Sequence, residues 1–146
     1  MTSTDQPPLP EQPTQALRFE RARTARSTAV LEDYAELIAD LLASGGEARA
    51  TDIARRLGVS HATAIKSIGR LKREGLATGL PYRGVFLTES GHRLAERVRT
   101  RHRIVVDLLV AVGVPLEAAE SDAEGLEHYV SEATLGAFER FLRAGR

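Results

Sequence analysis

The run Ala50-Thr-Asp-Ile-Ala-Arg-Arg-Leu57, Gly58-Val-Ser60, His61-Ala-Thr-Ala-Ile-Lys-Ser-Ile-Gly-Arg-Leu-Lys-Arg73 decides the fold. Its first eight residues read as a short helix. Gly58 stops it, because glycine takes the left-handed conformation that ends a helix at no steric cost. Ser60 reads as the N-cap of a second helix, its hydroxyl placed to accept a bond from an unpaired N–H of the first turn. From His61 onward, Ala64, Ile65, Ile68 and Leu71 recur at helical spacing and are expected to bury one face. His61, Thr63, Lys66, Ser67 and Arg70 are left for the other faces. A helix, a three-residue turn with glycine and a basic, polar-faced second helix make a helix-turn-helix, whose second helix enters the major groove of DNA. Ser60, His61, Thr63, Lys66, Ser67 and Arg70 are its candidate DNA contacts, with His61 and Thr63 nearest the helix start and best placed to read base edges.

Downstream, Gly75-Leu-Ala-Thr-Gly-Leu80 and Val85-Phe-Leu87 read as two short strands joined by Pro81-Tyr-Arg-Gly84, in which Pro81 and Gly84 supply turn geometry. The unit is therefore a winged helix. Arg83 at the wing tip suits a phosphate or the minor groove; an exposed tip arginine also serves solubility, but directly after a helix-turn-helix DNA is the better reading. Residues 89–112 follow as one long helical pattern and residues 131–143 as another. Val105, Leu108, Leu109 and Val112, with Leu135, Phe138, Phe141 and Leu142, offer more apolar surface than so short a segment buries alone. A two-fold homodimer would cover it and match a palindromic operator.

Upstream, Leu31, Ala35, Ile38, Leu41 and Leu42 mark a core stripe. Residues 1 to about 15 hold four of the six prolines and read as a disordered tail. Residues 17–26 read as a short helical arm whose Arg18, Arg21, Arg23 and Arg26 either reach phosphates or keep the arm soluble. The expected fold is mainly α with a small β-wing: tail and basic arm over 1–26, a winged helix-turn-helix DNA-binding domain over 27–90, and a helical metal-binding and dimerisation domain over 91–146.

A net charge of zero hides a division along the chain. Residues 18–103 hold 17 of the 20 Lys and Arg against 10 acids, a net of +7, while residues 104–146 hold 3 Arg against 8 acids, a net of −5. The first part suits a polyanion such as double-stranded DNA and the second suits something else. No cysteine is present, so disulfides, thiolate metal sites and a Cys nucleophile are excluded. The absence of a long apolar run or a hydrophobic leader points to a cytoplasmic protein with no membrane partner. No glycine-rich phosphate loop, nucleophile elbow or HExxH is present, and no separate acid or base can be named, so the chain is not read as an enzyme.

The acidic part contains Asp122-Ala-Glu-Gly-Leu-Glu-His128, which sets Glu124, Glu127 and His128 at i, i+3 and i+4. If helical, the three side chains share a face, and two carboxylates beside an imidazole form a plausible shell for a divalent metal. The same spacing also describes a solvated acidic face. Two further places could complete a site. Asp33 and Glu36 lie one turn apart near the start of a helix, where an acid also favours the helix dipole. His102 lies midway along the 89–112 helix, within Arg101-His102-Arg103, where it could equally be an exposed surface residue.

Taken together, Glu32-Asp-Tyr-x-Glu36, the winged helix with Tyr82-Arg-Gly-Val-Phe-Leu-Thr88, Arg101-His102, and Asp122-Ala-Glu-Gly-Leu-Glu-His128-Tyr-Val-Ser131 resemble the manganese-responsive repressors of the diphtheria toxin repressor family. The resemblance covers about residues 31–141. It implies that Asp33, Glu36, His102, Glu124, Glu127 and His128 are the metal ligands. Tyr129 stands where many members have a second His, a position that is not a primary ligand. The nearness of the last motif to Arg146 implies no SH3-like third domain, and the N-terminal extension is similar to that of some Gram-negative members.

Iron-responsive relatives carry sulfur from Met and Cys where this chain has Asp33 and Glu124. Hard oxygen donors with limited imidazole suit Mn(II). Four carboxylates among six donors make two ions per subunit plausible. The expected function is a Mn(II)-dependent DNA-binding regulator that represses manganese uptake genes when loaded. The alternatives are a winged-helix regulator that senses Fe(II) or an organic ligand and, less favoured, a di-metal hydrolase.

Overall fold

The computed structural model describes residues 6–80 and 82–145. The disorder expected for residues 1–5 and the turn role expected of Pro81 lie outside the described residues. The chain opens with α1 (Gln12–Ala43), a single helix of 32 residues. This differs from the expected tail and separate arm. Pro13 lies in the first turn, where its missing N–H costs no bond. From Thr14 to Ala43 there is neither Gly nor Pro, and Ala, Leu, Arg and Glu keep the helix running. Asp33 consequently lies deep inside α1, so the helix-start explanation for it no longer applies.

The helix-turn-helix follows as α2 (Ala50–Leu57) and α3 (His61–Arg73). Gly58 adopts φ 70°, and Ser60 Oγ accepts a 3.1 Å hydrogen bond from Thr63 N–H. On α3, Ala64, Ile68 and Leu71 are buried, but Ile65 is 51% exposed, against expectation. It stands about 100° around the helix from Ala64, outside the narrow stripe that faces α1. The wing is β1 (Ala77–Leu80) antiparallel to β2 (Gly84–Leu87), in register from Ala77↔Leu87 to Leu80↔Gly84. Ala48 bridges to Val85 of β2, its carbonyl accepting a 2.9 Å bond from Val85 N–H.

The rest is helical: α4 (Glu89–Ala111), α5 (Leu116–Leu126) and α6 (Glu132–Ala144). Thr88 and Ser131 cap α4 and α6 through their hydroxyls. The acidic motif is only partly helical, since α5 stops at Leu126; Glu127 is its C-cap and, with His128 and Tyr129, forms the following turn. The buried apolar residues form two clusters. One joins α1, α2, α3 and the wing to Leu94, Ala95 and Val98 of α4. The other gathers Ile104, Val105 and Val106 of α4 with Ala119, Ala123 and Leu135. Helix α4 thus belongs to both halves, and residues 99–103 mark the seam.

Gly91 sits where α4 crosses the wing, and a Cβ there would lie 2.0 Å from Leu76 O. Backbone cannot yield cheaply, so Gly91→Ala is expected to lower unfolding free energy in urea by at least the ~1–3 kcal/mol typical of overpacking. Gly125 in α5 has nothing within 4 Å of such a Cβ, and Gly125→Ala is expected to be neutral or stabilising by up to ~1 kcal/mol. Equal midpoints for both variants would contradict this packing.

Candidate metal centre

The seam brings together chemistry that the sequence scatters over almost a hundred residues. Ligand atoms of Asp33, Glu127 and His128 lie within 4.8 Å of one another, and so do those of His102, Glu124 and Glu127. Glu127 belongs to both groups. Its Oε2 is 2.6 Å from His102 Nδ1, and its Oε1 is 3.5 Å from His128 Nε2. His128 Nε2 is also 2.8 Å from Asp33 Oδ1, although out of line for a hydrogen bond. Glu124 Oε1 is 3.8 Å from His102 Nδ1. Glu36 stands at the edge, sharing with Asp33, Asp40, Arg56 and Glu124 a cavity of about 320 Å³. Five of the six residues expected as ligands therefore fall into two donor groups that share Glu127, and Glu36 lines the adjoining cavity without joining either.

Electrostatics there are strained. Glu127 is 1% exposed, and burial lifts its carboxyl to about 7 despite the opposing pull of His102 and His128. Burial likewise raises Glu36, with Glu124 and Asp40 adding repulsion. Burial disfavours charge on His128, but the carboxylates of Asp33 and Glu32 overcome it and raise the imidazole to about 10. His102 follows the same logic, opposed by burial and raised by Glu120 and Glu127. Buried side-chain atoms without a hydrogen-bond partner include Glu36 Oε2, Glu127 Oε1 and His128 Nε2. Three such atoms on candidate ligands are what a divalent cation would satisfy, and the oxygen and imidazole donors fit one.

Two neighbours are not among the expected ligands. Glu32, 6% exposed, has Oε2 at 2.8 Å from His128 Nδ1, and Glu120 has Oε2 at 2.6 Å from His102 Nε2. Glu120 has a readable signal, for it lies four residues before Glu124 and so on the same helical face. Glu32 opens the Glu32-Asp-Tyr-x-Glu36 motif, but nothing in the sequence signals its contact with His128, because that partner is 96 residues away.

The candidate DNA contacts form a separate surface. Ser60, His61, Thr63, Lys66 and Arg83 are exposed, and Ser67 is half-buried. Arg70 is engaged elsewhere: its guanidinium donates to Ser27 O at 3.0 Å and to Ser27 Oγ at 2.9 Å, and pairs with Glu74 at 3.3 Å. It ties α3 to α1.

Known family models divide this chain just before α4. Residues 27–85 match the N-terminal DNA binding domain of the iron dependent repressors, and residues 88–144 match their metal binding and dimerisation domain. The chain belongs to the iron dependent repressor family. This is the diphtheria toxin repressor family that the motifs resemble. Members named transcriptional regulator MntR are similar: that of Escherichia coli O157:H7 is 50% identical over 125 residues, covering 86% of this chain and 81% of the relative. The HTH-type transcriptional regulator MntR of Bacillus subtilis (strain 168) is 34% identical over 105 residues, covering 72% and 74%. Among solved structures, the manganese regulator SloR superposes with TM-score 0.70 at 27% identity, over 77% of this chain and 53% of that one. A manganese-dependent transcriptional repressor in complex with manganese gives TM-score 0.68 at 31% identity, over 77% and 52%. This chain thus spans about half of each of those two solved chains. As in its family, a DNA-binding half is joined to a metal-binding and dimerisation half, and the chain is a transcriptional regulator rather than an enzyme. No helix among the described residues is long and apolar enough to cross a membrane.

All four pKa shifts at the centre are upward, so the folded state binds these protons more tightly than the unfolded chain. Their contribution is complete below the unfolded values and is lost as pH rises through the folded ones. For Glu127 the window runs from 4.5 to about 7, and for His128 from 6.5 to about 10. With excess chelator, the thermal midpoint is expected to be lower at about pH 9 than at about pH 6, and Glu127→Gln is expected to flatten the acidic part of the decline. A midpoint that rises over this range would contradict the assignment.

Proposed function

We propose that this chain is a Mn(II)-dependent repressor that binds a palindromic operator as a homodimer in the cytoplasm and silences manganese uptake genes when loaded. The observation that carries the reading is Glu127, whose two oxygens face two separate three-donor groups at the junction of the DNA-binding and dimerisation halves. Two ions per subunit are proposed. Asp33, Glu127 and His128 would hold one, and His102, Glu124 and Glu127 the other, with Glu36 beside them. The donors are carboxylate oxygens and two imidazoles, with no sulfur, which favours Mn(II) over softer metals. Resemblance to solved regulators described as manganese-responsive supports the same choice.

Bound Mn(II) supplies positive charge among carboxylates that repel one another without it. Asp33 and Glu36 approach from α1, while Glu124, Glu127 and His128 approach from α5 and its C-terminal turn. Holding one centre, they fix the two halves relative to each other. Arg70 then transmits the position of α1 to α3 through Ser27. A fixed spacing of two such heads lowers the entropy lost on docking at two half-sites. Val110, Val112, Leu116 and Phe141 are each at least 44% exposed, an apolar surface that supports dimerisation.

The test is fluorescence anisotropy of a duplex from the chain's own upstream region, titrated anaerobically with Mn(II), Fe(II), Zn(II) and Ca(II). Mn(II) is expected to tighten binding at least tenfold, with chelator reversing it. Operator affinity indifferent to metal and chelator would overturn the reading. On the same duplex, Lys66→Ala and Arg83→Ala are each expected to weaken binding and to shallow the slope of log affinity against log salt by about 0.9 for each phosphate no longer neutralised. Mn(II) binding to the free variants should be unchanged. An unaltered slope in both removes these side chains from the phosphate interface.

A further inference from the structure

Each imidazole of the centre has one nitrogen turned toward the other candidate ligands and one turned away. His128 directs Nε2 at Asp33 and Glu127, while Nδ1 meets Glu32 at 2.8 Å. His102 directs Nδ1 at Glu124 and Glu127, while Nε2 meets Glu120 at 2.6 Å. The two rings are thus used in opposite senses, and in both a carboxylate outside the ligand set occupies the far nitrogen. A neutral imidazole has one N–H and one lone pair, so the group that accepts the N–H decides which nitrogen is free to ligate.

We infer that Glu32 and Glu120 are positioning residues that hold the ring proton of His128 on Nδ1 and of His102 on Nε2, leaving the opposite nitrogen of each to face the metal. This rests on the metal-binding reading above. The two differ in what would replace them. Glu120 has a side chain 53% exposed, so water can accept from His102 Nε2 in its absence. Glu32 and His128 have side chains only 8% and 3% exposed, so little solvent can stand in. Glu32 also belongs to α1 of the DNA-binding half, whereas His128 follows α5 of the dimerisation half. Docking of α1 is therefore part of what prepares His128 as a ligand, through Glu32 as well as through the Asp33 and Glu36 that the same helix delivers.

The experiment combines two readouts. Long-range ¹H–¹⁵N correlation on the diamagnetic Zn(II)-loaded protein assigns the protonated and metal-bound nitrogen of each ring. Electron paramagnetic resonance of free Mn(II) gives affinity. Wild type is expected to show Nδ1–H on His128 and Nε2–H on His102. Glu32→Ala is expected to lose the defined His128 tautomer and to bind Mn(II) about 10–100-fold more weakly. Glu32→Gln keeps a carbonyl acceptor in the same shape and is expected to restore the tautomer and most of the affinity, which separates proton placement from folding. Glu120→Ala is expected to cost less than Glu32→Ala. Metal attached to His128 through Nδ1, or Glu32→Ala matching wild type in both readouts, would overturn the inference while leaving metal binding intact. Failure of wild type to bind either ion would instead overturn the functional reading on which it rests.

Discussion

Glu127 must keep a carboxylate with 1% exposure in a position where one oxygen has no hydrogen-bond partner, and the surrounding structure is arranged to make that tolerable. A buried charge of this kind is costly unless paired. Its own helix cannot pair it, because α5 ends at the preceding residue. Compensation comes from His102 on α4 and from His128 next along the chain. His128 in turn needs Glu32 and Asp33 of α1. Three helices and a turn are thus fixed in phase by the demands of one side chain.

The seam that carries this network is polar by construction. Apolar packing along α4 ends at Val98 in one cluster and resumes at Ile104 in the other, with Arg99-Thr-Arg-His-Arg103 between. Arg99 reaches Asp40 of α1 at 2.6 Å, and Arg101 donates to the carbonyl of Val130 in the turn that carries His128. A junction held by ion pairs and hydrogen bonds adjusts more readily than one sealed by a continuous core. That suits a protein whose two halves must respond to one another.

The helix-turn-helix and wing are readable from local signals, since Gly58, Ser60 and the spacing of Ala64, Ile68 and Leu71 each act within a few residues. The six proposed ligands are readable as motifs. Their convergence is not readable from spacing alone, because Asp33 and His128 meet only through tertiary packing. The length of α1 is hidden because prolines and polar residues suggest disorder where Pro13 merely begins a helix. Ile65 is misplaced because helical spacing alone cannot say how wide a buried stripe is, and the one facing α1 is narrow. Arg70 looks like a free cation until its partner Ser27, 43 residues away, comes into view. The contact of Glu32 with His128 is invisible for the same reason.

Protons and a divalent cation are alternative ways of offsetting the charge that these carboxylates bring together. Burial favours the protonated form of Glu127, and the surrounding carboxylates favour the protonated form of His128. Glu32 with His128 and Arg99 with Asp40 already bridge the halves. A cation bound by these donors would displace the protons they carry. The free energy available for switching is the difference between the two occupants, and moving a population from 1:99 to 99:1 requires about 5.5 kcal/mol of such difference. A smaller difference narrows the range of head positions without inverting it. Narrowing is sufficient when two heads must match two half-sites, since each excluded orientation is entropy that DNA binding no longer loses. Because linkage is reciprocal, DNA that selects the docked heads must favour the same occupant of the centre to the same degree.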